Sequence, residues 1–310
     1  MKTTAFTTAA VAVLTVIVGA AQGAAPTAAD IEARLTRFFE AAAKYAQTFR
    51  NLTAEETRVI EEFDDSRRVR KRREIVADLV LYRPARDGDA GGAEYRDVRL
   101  VDGKAVAQRG KRALDLITRA MNSASVAEEL RLISRESIRY EFRWHVGNFV
   151  VSQLHRPEPV QRKDFRFNWV GPARLNGHDV VDIEYREVVP RSQQPGIDRI
   201  YKAMGISSFF ERGRLWLDAT TSRVRRSRFE IAGVHPALVM PIQLLGIEST
   251  YVDSRFGIGV PERIVAEFYE NRKSKAKPLF GLTARTTYTY GSFRRFGVTT
   301  DETVLTPAER

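Results

Sequence analysis

Four histidines, His145, His155, His178 and His235, are the side chains best suited to moving a proton or holding a metal near neutral pH. They lie far apart in the sequence, and none has the spacing of a helical zinc motif such as HExxH. His178 follows Asn176-Gly177 and reads as a polar turn residue. The chain contains no cysteine, which removes disulfides, thiolate nucleophiles and zinc–thiolate centres. Carboxylates are plentiful, as in Glu61, Glu62, Asp64 and Asp65. Adjacent acids on a strand point to opposite faces, however, and do not by themselves make an acid–base pair. No Gly-x-Ser-x-Gly elbow, phosphate-binding loop or dinucleotide fingerprint occurs. These residues point to no catalytic group, no metal and no cofactor, leaving an enzyme assembled from distant strands as the alternative.

The side chains that could do other chemistry are apolar and basic. Residues 213–231, GRLWLDATTSRVRRSRFEI, read as a β-hairpin: Leu215 and Leu217 alternate with Arg214, Trp216 and Asp218, and Val224 opens the return strand after a polar turn. In an antiparallel pair, the start of the first strand lies beside the end of the second. The segments on either side of the hairpin therefore emerge together at one rim. Ile200, Met204, Phe209 and Phe210 belong to the segment before it, and Leu238, Met240, Leu244 and Leu245 to the segment after it. Two such connections either cap the end of the core or form an apolar mouth, in which Met204 and Met240 can repack around different guests. With a four-residue turn at Ala219–Ser222, Trp216 lies across from Arg225, either as a stabilising cross-strand contact or as a cationic rim for a head group. The run Arg67, Arg68, Arg70, Lys71, Arg72 and Arg73 is expected at a hairpin tip, as a solvated face or an anion-binding patch.

Thr27 and Asp30 have capping-box spacing, and Ile31, Leu35, Phe38, Ala42, Tyr45 and Phe49 follow at helical intervals. Strand patterns begin at Asn51. Residues 111–141 return to helix, with Ser125 and Glu128 in capping-box spacing, and alternation resumes at Tyr140, Phe142 and Trp144. From there the chain reads almost entirely as strand, with a two-residue hairpin turn at Asn176-Gly177. Ten or eleven strands with helices concentrated before residue 142 make an α+β pattern with a long antiparallel meander. Pro190–Gly196 reads as a loop rather than a linker, so one domain over residues 24–310 is expected.

Residues 1–23 have the make-up of a secretory signal: Lys2, a small apolar stretch from Ala9 to Ala20, and Ala21-Gln22-Gly23 as the cleavage region. The 310 residues carry a formal charge of +11. For an exported chain, that favours anionic lipid head groups or acidic envelope polymers over nucleic acid, and makes peripheral contact with a membrane plausible.

GRLWLDATTSRVRRSRFEI, the following IESTYVDSRFGIGVPERIVAEFY hairpin and the last strand TYTYGSFRRFGV resemble the C-terminal half of the bacterial LolA/LolB-like superfamily of lipoprotein-sorting proteins. The resemblance covers residues 165–300 better than the front half. It implies a strongly curved antiparallel sheet, wrapped as an incomplete β-barrel and packed against helices, with an apolar cavity that holds acyl chains in those carriers. The expectation is a periplasmic or secreted non-enzymatic protein that binds a lipid or lipidated protein. The alternative is an envelope sensor or structural partner that binds another exported protein through its apolar rim.

Overall fold

The computed structural model describes residues 27–49, 52–82, 93–142, 163–188, 203–273 and 278–295. The elements run α1 (Ala28–Phe49), β1 (Leu52–Phe63), β2 (Val69–Tyr82), β3 (Ala93–Val101), β4 (Lys104–Ala105), α2 (Arg109–Met121), α3 (Val126–Ser137), β5 (Phe165–Leu175), β6 (His178–Glu187), β7 (Ser208–Asp218), β8 (Val224–Val234), β9 (Ile242–Asp253), β10 (Gly259–Asn271) and β11 (Phe280–Arg295). The strands form one antiparallel sheet in the order β4-β3-β2-β1-β11-β10-β9-β8-β7-β6-β5. Its two ends remain unpaired with each other, so the sheet is open, as the sequence resemblance implied.

The helices start where their caps are. The Thr27 N–H donates to Asp30 Oδ2 at 2.9 Å, and Thr27 Oγ1 accepts from the Asp30 N–H at 3.2 Å, which is the reciprocal bonding of a capping box. Ser125 accepts from the Glu128 N–H at 3.2 Å and starts α3. The helical stretch 111–141 is thus two helices broken before Ser125, because a good N-cap side chain offers the backbone an end as well as a beginning. Tyr140 and Phe142 lie in irregular chain and not in a strand. The guanidinium of Arg73 stands 4.6 Å from the centre of the Phe142 ring. Trp144, Pro190–Gly196 and the signal-like stretch lie outside the described residues.

Two-residue turns sit where their dipeptides are: Asp102 and Gly103 have φ of 50° and 76°, and Asn176 and Gly177 of 49° and 84°. The β1–β2 connection is tighter than the sequence suggested. Only 64–68 turn, and Arg70 to Arg73 belong to β2 itself.

The largest core cluster explains the curvature. It joins Leu35, Phe38, Phe39 and Tyr45 of α1 to side chains from β1, β2 and β5 through β11. A flat sheet of this many strands would be about 50 Å wide, whereas a helix with its side chains is about 10–12 Å across. A single cluster of side chains spans those strands together with α1 only if the sheet curls around the helix. The free ends are protected differently. At β3, Ser137 of α3 donates through Oγ to the Glu94 carbonyl at 2.6 Å and accepts from the Arg96 N–H at 3.2 Å, so side-chain bonds replace a neighbouring strand. At β5, Pro172 and the irregularity at Trp169/Gly171 make a poor template for further pairing.

Candidate functional site

The inner face of the sheet offers a cleft where α1 crosses the β7–β8 and β9–β10 turns. The helix arrives there because its amphipathic stripe fits the curl, and because Arg34 donates to the Ala219 carbonyl at 2.7 Å and Arg37 to Ser222 Oγ at 3.2 Å. The cleft is about 170 Å³. Phe38, Ala42 and Tyr45 form one wall and Val224, Tyr251 and Ile258 the other, while Lys44 and Arg223 add positive charge at its edge. Burial raises the Tyr251 hydroxyl to about 12, although Ser227 and Ser249 oppose the rise. Tyr45 is raised well above the ordinary phenol value, first by burial and then by Tyr251 beside it. Both phenols therefore stay neutral at physiological pH. They are hydroxyls that can donate a hydrogen bond but have no driving force to give up a proton.

Asp218 fixes the turn that closes one side of this cleft. Its Oδ1 accepts from the N–H groups of Thr220 and Thr221 at 3.1 and 2.8 Å, and its Oδ2 pairs with Arg225 at 3.0 Å. Burial pushes its carboxyl up, but the Thr221 N–H and Arg225 more than offset this and hold it at about 2. Arg225 reaches on to Asp253 at 2.8 Å. The connection between β7 and β8 is one residue longer than four, and an irregularity in the ladder sets Trp216 opposite Arg226. The pairing expected between Trp216 and Arg225 is therefore replaced. Arg226 and Arg214 stand 4.9 and 5.3 Å from the indole, and Arg225 serves the turn instead.

The seven described residues of the proposed apolar mouth do not line this cleft, which opens at the opposite rim. Phe209, Phe210 and Leu244 are buried; Met204, Leu238 and Leu245 are half-buried; Met240 is exposed. Ile200 lies outside the described residues. Leu244 and Ile206 close over Gly233, where an added Cβ would stand 2.7 Å from a Leu244 methyl.

A second inner-face constellation was not singled out from sequence. Glu56 and Arg58 of β1, Glu94 and Arg96 of β3, and Glu141 are almost completely buried together. Arg58 pairs with Glu56 at 2.9 Å and with Glu141, and Arg96 pairs with Glu56 at 2.7 Å and with Glu94. Burial opposes ionisation of Glu56, but Arg96 and Arg58 hold its carboxyl below the ordinary range. The signal was present: Leu52, Ala54 and Ile60 mark the inward parity of β1, and Glu56 and Arg58 share it. Three carboxylates share two guanidiniums here, and the ion pairs tie β1 and β3 to Glu141 just beyond α3.

The outer face carries wider troughs of about 430 and 520 Å³, lined largely by arginines and acids, several of which pair. Arg212 and Arg228 share Glu230, and Arg285 meets Glu267 at 2.8 Å. Among the described residues, no cluster of three His, Asp or Glu side chains could hold a metal, and no helix is long and apolar enough to cross a membrane.

No family model matches the sequence, and no curated protein matches it. The chain is similar in structure to a domain described as an outer membrane lipoprotein-sorting protein from Vibrio parahaemolyticus, with a TM-score of 0.32, 10% identity, and 83% of this chain and 92% of that one covered. It is similar also to a DUF1329 family protein from Desulfovibrio piger, with a TM-score of 0.32, 11% identity, and coverage of 84% and 93%. A LolA superfamily protein from Nitrosomonas europaea gives a TM-score of 0.30, 11% identity, and coverage of 86% and 94%. Structures of the LolA superfamily thus stand among the neighbours of this chain, and the likeness concerns the arrangement of the fold.

Proposed function

We propose that this chain is an exported, non-enzymatic binding protein of the periplasm that holds an acyl chain of a lipid or lipidated protein beneath α1. The observation that carries the reading is the cleft itself: an apolar trough between α1 and the inner face, with Lys44 and Arg223 at its edge. An aliphatic chain placed there leaves water at about 0.8 kcal/mol per buried methylene. The cations at the edge complement a carboxylate or phosphate head. The neutral hydroxyls of Tyr45 and Tyr251 suit an ester or amide near the chain. α1 meets the turn through hydrogen bonds from Arg34 and Arg37 and packs on the inner face through Leu35, Phe38 and Tyr45. Lifting it widens the cleft towards the curled inner face and accommodates a longer chain.

Native mass spectrometry of the protein purified from a bacterial periplasm, followed by organic extraction, tests this directly. An acyl species in near-stoichiometric amount is the expected result. Ala41→Trp, which fills the cleft from its partly exposed wall, is expected to abolish uptake of a fluorescent fatty acid while leaving the far-UV spectrum unchanged. A clean apo mass together with no uptake by the parent chain would reject the reading. A protein captured in place of lipid would favour the partner-binding alternative.

A further inference from the structure

The rim opposite the cleft has a composition of its own. The β8–β9 turn, the β10–β11 turn and the β1–β2 turn follow one another along it, as the strand order requires. Side chains confirm the adjacency. His235 and Phe280 have ring centres 6.2 Å apart, and Arg272 crosses from the β10–β11 turn to Asp65 of the β1–β2 turn at 2.8 Å.

Four of the seven large hydrophobic side chains exposed among the described residues sit here: Val239 at 99%, Met240 at 73%, Leu279 at 51% and Val69 at 48%. Beside them stand Arg67, Arg68 and Lys273, none of which pairs with a carboxylate among the described residues. Arg70 and Lys71 share the single carboxylate of Glu62 and keep more than half of their side chains in solvent.

We infer that this rim docks the protein on an anionic lipid surface, with Val239 and Met240 entering the head-group boundary and the β1–β2 basic residues meeting lipid phosphates. Scattered exposed apolar residues are ordinary on a soluble surface. Here they protrude from neighbouring turns and are flanked by uncompensated cations. A protein partner would have to supply a matching recess and an interface of roughly 1,000 Å² or more. A soft, negatively charged lipid boundary receives protruding side chains without a preformed recess and attracts the cations over a Debye length. Docking here does not require the cleft to be occupied, since the cleft opens at the other end of the strands.

Vesicle sedimentation of the full chain tests the inference, using phosphatidylglycerol mixed with phosphatidylethanolamine and, in parallel, phosphatidylcholine alone. Binding is expected to the anionic vesicles only and should weaken as salt is raised. Val239→Asp with Met240→Asp, and separately Arg67→Glu with Arg68→Glu, should each lower partitioning by about tenfold. All four residues are exposed, so circular dichroism should show unchanged folding, and every variant keeps the same N-terminal segment as the parent. The cleft variant Ala41→Trp should bind vesicles as the parent does, which separates this result from the acyl-binding proposal. Parent chain that fails to sediment with anionic vesicles would overturn the inference. So would retention of full binding by both double variants.

Discussion

Asp218 and the buried ion cluster show what single carboxylates contribute to this protein. The folded pKa of Asp218, about 2, lies below its ordinary 3.8. Its contribution to stability is therefore fully present above 3.8 and is lost as pH falls towards 2. Glu56 is shifted in the same direction, so it too favours the folded state above the ordinary carboxylate range and loses that contribution in acid. Thermal melts from pH 6 down to pH 2 should show a falling midpoint, and Asp218→Asn should flatten the most acidic part of the curve. A parallel curve for the variant would show that the turn does not depend on the charge. Arg96→Met leaves Glu56 and Glu94 short of a buried partner and is expected to cost about 3–5 kcal/mol in urea unfolding. A loss below about 1 kcal/mol would mean that the cluster rearranges around the gap.

At the level of elements, β7 depends on a close approach. Gly213 faces Tyr185 on β6 and Phe229 on β8, and a Cβ built there would lie 2.3 Å from the Arg228 carbonyl and 2.4 Å from the Tyr185 ring. Gly213→Val should therefore destabilise the sheet by about 2 kcal/mol or more, read from chemical denaturation. Leu244 is 4% exposed and packs over Gly233. Leu244→Ala should cost about 2–5 kcal/mol, whereas the equivalent change at the exposed Met240 should cost almost nothing. Equal effects at the two positions would mean that the β8–β9 loop is itself part of the core. Hairpin turns and helix caps were legible from sequence because a few neighbouring residues determine them, as at Asn176-Gly177 and Thr27–Asp30. The shift that gives Trp216 to Arg226 was not, because a ladder irregularity depends on how Asp218 and Ser222 settle the turn.

For the molecule as a whole, the chain closes on itself through β1 and β11, whose register runs from Leu52 opposite Arg295 to Glu62 opposite Ala284. Removing residues 280–310 would expose the long sides of β1 and β10 and delete Tyr288 and Tyr290 from the core, so the shortened chain should show no cooperative unfolding transition. A sharp transition in that variant would show that the two halves of the sheet fold separately. The sequence by itself determined the secondary structure of most strands, the capped helix starts and the antiparallel meander, because period-2 burial, turn dipeptides and N-caps are local properties. It also marked Met240 as part of an apolar connection and the 67–73 run as basic. Only the tertiary structure decided that those two stretches share a rim, that Phe209, Phe210 and Leu244 lie inside, and that the cleft lies at the other end under α1. The reason is that strand order and curl bring together residues more than two hundred positions apart, as Arg272 and Asp65 are, and local pattern carries no record of which distant strand becomes a neighbour.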